Sequence, residues 1–87
     1  MKFYLHEQPL DLPLSLFRLL RHLYQQRGQV CTREACAQAI WQEDYLPEYE
    51  ADNLDKAIFA LRQRLRKIDP NADYIQSRRG IGFWLEF

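Results

Sequence analysis

Asp52-Asn53-Leu54-Asp55-Lys56-Ala57-Ile58-Phe59-Ala60-Leu61-Arg62-Gln63-Arg64-Leu65-Arg66-Lys67-Ile68 is the stretch whose reading decides the architecture. Leu54, Ile58, Leu61, Leu65 and Ile68 alternate spacings of four and three, so at about 100° per residue they form one apolar stripe of an amphipathic helix. Asp69-Pro70-Asn71 stops it, because proline lacks the N–H that a helix interior needs. The opposite face then carries Asp52, Lys56, Phe59, Ala60, Gln63, Arg66 and Lys67.

On the C-terminal side, Tyr74–Ser77 and Phe83–Phe87 read as two strands around Arg78-Arg79-Gly80-Ile81-Gly82, with glycines available for positive φ. Phe83, Leu85 and Phe87 alternate onto one face of the last strand. On the N-terminal side, residues 42–51 (Gln-Glu-Asp-Tyr-Leu-Pro-Glu-Tyr-Glu-Ala) hold a central Pro47 and no sustained period, which predicts a long loop. Before it, Thr32 stands where its hydroxyl can cap a second helix running to about Trp41 and rich in small residues (Ala35, Cys36, Ala37, Ala39). Val30 and Cys31 form a brief extended link. Leu16, Leu19, Leu20 and Leu23 place a first helix over Leu14 to Arg27, ended by Gly28 as a left-handed cap. Phe3–Leu5 and Leu10–Leu12 around His6-Glu7-Gln8-Pro9 predict a short hairpin. The class is α+β in one domain over residues 1–87: an N-terminal hairpin (1–12), a three-helix core (13–69) and a C-terminal hairpin (74–87).

At 87 residues a second domain does not fit, and two Trp, five Tyr and five Phe argue for a packed core. No run approaches the roughly 20 apolar residues that span a bilayer, and the start does not resemble a secretory signal, so the expected compartment is the cytoplasm. Cys31 and Cys36, five apart, match neither a CxxC pair nor a four-ligand metal set and are expected to be buried. His6 and His22 stand alone. No nucleophile and base pair, Gly-rich phosphate loop or metal-ligand cluster is legible, so the chain reads as a binding module, not an enzyme, with no cofactor and no metal. Net charge is zero, yet residues 43–55 hold six acids and no base while residues 56–79 hold seven bases and two acids. The charge is polarised along the chain, although runs of this kind are also common on solvated faces.

The order hairpin, helix, helix, loop, long helix, hairpin resembles the winged-helix effector domain of OmpR/PhoB-type bacterial response regulators. The resemblance rests on Phe17-Arg18-Leu19-Leu20 in the first helix, Thr32-Arg33-Glu34 at the start of the second, and Ala39-Ile40-Trp41 with Glu43-Asp44-Tyr45 at its end. Asp55, Ile58, Leu61, Arg62 and Leu65 in the third helix and Arg79-Gly80-Ile81-Gly82-Phe83 at the wing tip complete it, over residues 9–87. It implies a winged helix-turn-helix that binds duplex DNA, with the third helix in a major groove, the wing arginine at a minor groove or phosphate, and two copies on successive half-sites as a homodimer. It also implies that the loop before the third helix meets RNA polymerase, and that a phosphorylated receiver domain usually precedes such a unit. No receiver is legible here, so the domain is expected to be excised, free-standing or regulated from elsewhere. The family's N-terminal sheet is longer than this hairpin, and its usual Thr-Pro and later Glu give way to Pro13-Leu14 and Leu16. Where typical members carry Arg or His in the third helix, this chain has Asp52, Ala57, Phe59 and Ala60.

On the resemblance, the DNA-binding candidates are Lys56, Phe59, Ala60, Gln63, Arg66, Lys67, Ser77, Arg78 and Arg79, and the protein-contact loop is Glu43, Asp44, Tyr45 and Glu48. Lys56 suits a phosphate, Gln63 an adenine edge, and Arg66 and Lys67 a passing backbone. Phe59 stands apart from the apolar stripe and either contacts a thymine methyl, docks a protein or folds back on the hairpin. Arg62 and Arg64 flank the stripe, where pairing with the acidic loop or Asp55 would be structural. Trp41 and Tyr45 are expected to hold the loop on the core, and Trp84 to close the wing against the N-terminal strand. The rival reading keeps the fold but makes the domain a protein-interaction module that uses Phe59, Ala60 and the acidic loop.

Overall fold

The structure is a computed structural model and describes residues 2–42 and 47–86, with side chains throughout except at 47–51. Its elements follow in the order β1 (Tyr4–Leu5), β2 (Gln8–Pro9), α1 (Leu14–Gln25), β3 (Cys31–Thr32), α2 (Arg33–Trp41), α3 (Pro47–Ile68), β4 (Ile75–Arg78) and β5 (Gly82–Leu85).

The three helices converge on one core because each carries an apolar stripe at helical spacing. Leu16, Leu19, Leu20 and Leu23 come from α1, Cys36, Ala37 and Ile40 from α2, and Leu54, Ile58, Leu61 and Leu65 from α3. Ile75, Phe83 and Leu85 close the cluster from the sheet, and Trp41 packs at its margin. Thr32 caps α2 as its position predicts, its hydroxyl accepting from the Ala35 amide at 3.1 Å. Both cysteines are buried and free. Burial pushes the Cys36 thiol up to about 12, with Cys31 adding to the rise, so it sits in the core as an inert apolar group.

Several boundaries differ from the sequence reading, each for a local reason. Helix α1 ends at Gln25, and Gly28 (φ +88) belongs to the turn after it, closed by Gln29 N–H donating to the Gln26 carbonyl. Residues 47–51, predicted as loop, are the opening of α3. Proline is tolerated in a first turn, where its missing N–H would have no partner, and the three-and-four apolar spacing that marks this helix begins only at Leu54. The N-terminal hairpin turns at His6-Glu7, both at positive φ, so that Tyr4 faces Pro9 and Leu5 faces Gln8. A two-residue turn of this kind matches the twist of paired strands. Leu10 adds one bond to Phe3 and then, with Leu12, leaves the ladder to pack on the core.

The link at Cys31–Thr32 is a strand, not a mere connection: the second sheet runs β3-β5-β4, wholly antiparallel. Thr32 faces Gly82 and Cys31 faces Phe83, tying the start of α2 to the C-terminal hairpin. Trp84 does not close that hairpin against β1. It faces Gln76 across the ladder and its indole N–H donates to Glu86 at 3.2 Å, while Phe3 seats the N-terminal hairpin on Phe17 and Tyr24. His6 also has a partner, Asp69, at 2.9 Å. Phe87 lies outside the described residues.

Candidate nucleic-acid interface

Arg62 joins the outward face of α3 to the β4–β5 hairpin. Arg62 donates twice to the Ile75 carbonyl, at 2.8 and 3.2 Å, and reaches the Ser77 hydroxyl at 3.5 Å. The hairpin therefore runs beside the flank of α3 that carries Asp55, Phe59, Arg62 and Arg66. Arg33, at the start of α2, closes the same flank by pairing with Asp55 at 3.0 Å while its guanidinium lies over the Phe83 ring.

Every arginine of α3 is engaged within the fold. Arg64 donates to the Asp11 carbonyl at 2.8 Å and Arg66 to the Ala72 carbonyl at 3.4 Å, beside the Arg62 contacts with Ile75. The pairing of Arg62 and Arg64 with the acidic loop or Asp55, open from sequence, gives way to backbone carbonyls, because those carbonyls lie on segments that cross the helix. Arg78 and Arg79 differ. Both are exposed at the hairpin tip, and their side chains take no hydrogen bond, ion pair or ring contact among the described residues. Lys56 and Lys67 on α3 are likewise exposed, with no ion pair among the described residues.

Gly80 and Gly82 shape that tip. The turn closes through Ile81 N–H donating to the Arg78 carbonyl, with Gly80 at φ +78, a region that L side chains rarely adopt. Gly82 is needed for a different reason: a Cβ there would fall on the backbone carbonyl of Cys31, where β3 crosses.

Phe59 is 62% exposed, which rules out folding back on the hairpin. Gln63 is exposed one turn further on. Ala60 departs from the predicted solvent face. It is half-buried and lines a groove with Leu16, Ile40 and Trp41, because α1 and α2 converge on that edge of α3. Ser77 is exposed and accepts from Arg62. Glu43, Asp44 and Tyr45 lie outside the described residues, as does the side chain of Glu48. No group of three or more His, Cys, Asp or Glu stands together among the described residues. No helix among them is long and apolar enough to cross a membrane.

Residues 7–85 match the family model described as "Transcriptional regulatory protein, C terminal". The chain belongs to this OmpR/PhoB-type family of DNA-binding transcription-regulator domains. The DNA-binding domain of CpxR from E. coli is 28% identical and superposes with a TM-score of 0.80, covering 98% of this chain and 81% of that one. DrrB of Thermotoga maritima, an OmpR/PhoB homolog, is 27% identical with a TM-score of 0.74, covering 97% of this chain and 37% of DrrB. The DNA-binding domain of RstA from Klebsiella pneumoniae, solved with the RstA box, is 22% identical at a TM-score of 0.80, covering 98% and 82%. That last likeness is one of fold. The OmpR/PhoB-type domain is thus a winged helix in which α2 and α3 form the helix-turn-helix and β4–β5 the wing.

Proposed function

We propose that this domain binds duplex DNA as a transcriptional regulator, with α3 in the major groove and the β4–β5 wing on the adjacent backbone or minor groove. One observation carries the assignment of residues: of the arginines in the chain, only Arg78 and Arg79 are left uncommitted among the described residues, and they sit together at the wing tip. A guanidinium already donating to a carbonyl has fewer donors for phosphate, whereas two free ones on a glycine turn can adapt to a groove. Lys56 and Lys67 supply further phosphate contacts from α3, with Phe59, Gln63 and Arg66 between them and Ser77 at the wing base. Ala60, half-buried towards α1 and α2, stays at the edge of this face. The family and the CpxR likeness support the reading as a whole.

A salt titration of binding to duplex DNA tests it, since log affinity falls with log salt by about 0.9 per phosphate neutralised. Arg78→Ala and Arg79→Ala should each flatten that slope by about one unit without lowering thermal stability. An unchanged slope in the double variant would remove the wing from the interface. No duplex binding at all would favour the protein-interaction reading, in which exposed Phe59 anchors a partner.

The acidic run from Glu43 through Asp44 and Tyr45 to Glu48 would repel a phosphate backbone, so it is assigned to a basic protein surface, by resemblance that of RNA polymerase. Replacing Glu43, Asp44 and Glu48 together by Ala should abolish activation and spare DNA affinity. Two copies on successive half-sites, as in the family's usual arrangement, complete the proposal.

A further inference from the structure

The engagement of the α3 arginines has a consequence for sequence preference. The commonest specific contact in a major groove is a bidentate Arg or Lys on guanine. Arg62 spends two nitrogens on the Ile75 carbonyl, Arg64 one on the Asp11 carbonyl, and the Nε of Arg66 turns towards the Ala72 carbonyl, so all three are drawn towards other segments and away from the middle of the outward face, and Lys56 and Lys67 are left for phosphate. What the middle of the outward face offers instead is Phe59, 62% exposed, and Gln63, exposed and four residues on. Four residues of helix rise by about 6 Å, so the two side chains stand neighbouring on one face. Since successive base pairs rise by about 3.4 Å, they address base pairs about two steps apart. A phenyl ring has no hydrogen bond to give, and the apolar feature of a major groove is the thymine 5-methyl. A primary amide matches the paired acceptor and donor of adenine. Lys67, another turn along the same row and exposed, falls where the backbone passes.

We infer that α3 reads a step containing A·T pairs, with Phe59 against a thymine methyl and Gln63 on an adenine edge; this rests on the duplex reading above. The protein is selective for A·T at the centre of its half-site because its arginines hold the fold together and leave the base-reading positions to an apolar ring and an amide.

The test has two parts. First, selection by the purified protein from a randomised duplex pool should yield a motif with thymine and adenine within about two base pairs of each other. Second, each thymine of that duplex is replaced by deoxyuridine, which removes only the methyl. One replacement should weaken binding by wild-type protein about fourfold, the equivalent of one buried methyl group. In Phe59→Ala the same replacement should have no effect, and Gln63→Ala should lose about tenfold of its discrimination against G·C at the adenine position. A motif with only G·C pairs at its centre, or deoxyuridine tolerated at every thymine, would overturn the inference while leaving duplex binding intact. Failure to select any duplex would overturn both. The deoxyuridine series uses unaltered protein, so its outcome does not depend on any variant folding.

Discussion

Gly80, in the wing turn, and Gly82, at the start of β5, stand two residues apart, yet they are required for unrelated reasons. At Gly80 a Cβ would meet open space, and only the positive φ opposes a side chain. Gly80→Ala should therefore cost about 1 kcal/mol, the penalty of a left-handed L residue. At Gly82 the added Cβ would fall on the Cys31 carbonyl, which is itself held in the β3–β5 ladder and cannot swing away like a flexible side chain. Gly82→Ala should cost about 3 kcal/mol, the upper range of overpacking, and lower Tm by more than about 10 °C in a domain of this size. Thermal melts of the two variants side by side check the order, and equal losses would show that β3 does not constrain the wing.

Within α3, burial on one flank and charge on the other do not divide as structure and function. Arg62 lies on the charged flank but acts as a strut, bridging the helix to β4. Arg62→Ala leaves the Ile75 carbonyl without its charged donor and should destabilise the domain by about 1.5 kcal/mol, the low end for such bonds because the guanidinium is only half-buried. DNA affinity of the variant, measured well below its melting temperature, should fall as well, since the wing loses its bearing against α3. The capping hydroxyl of Thr32 is a simpler case: Thr32→Ala should cost about 1 kcal/mol by denaturant unfolding. These struts are why the proposed reading face centres on Phe59 and Gln63. Among the seven bases between residues 56 and 79, the sequence set Arg62 and Arg64 apart from the contact candidates but could not name the carbonyls that hold them.

Across the whole molecule, acid should act in two separate windows. The His22 ring is held below its ordinary 6.5 by burial, and its Nε2 has no hydrogen-bond partner among the described residues. Neutral His22 is thus the form that the fold favours. Stability is complete above pH 6.5 and falls as the pH drops from there towards the lower folded-state value. Asp69 is held below its ordinary 3.8, chiefly by the hydrogen bond from His6 and then by the Asn71 amide and the Tyr74 hydroxyl. Its contribution is present above 3.8 and is lost as the pH falls through its depressed folded-state value. His6 and Tyr74 meet at Asp69, just past the end of α3, so this second loss should loosen the N-terminal hairpin. Urea unfolding as a function of pH should show His22→Gln abolishing the first decline and Asp69→Asn the second, and a single decline insensitive to both would refute the assignment.

Short-range periodicity and residues with one conformational use can be read from the order of residues alone. The stripes of α1 and α3, the Thr32 cap, the burial of both cysteines and the glycine-bearing wing turn were all legible, because each is a local pattern whose energetics involve neighbours within a few residues. The same locality misled at Pro47, which opens α3 and does not break it, and at Cys31–Thr32, where two residues become a strand only because β5 lies alongside. Tertiary structure alone decided which charges are spent. Arg62 and Arg64, structural by their place beside the stripe but with partners the sequence left open, and Arg66, which the sequence set on the contact face, are bound to carbonyls at Ile75, Asp11 and Ala72, one of them 53 positions away. A carbonyl that distant leaves no trace in helical spacing, so the division of the basic residues between holding the fold and facing outward exists only once the chain has closed.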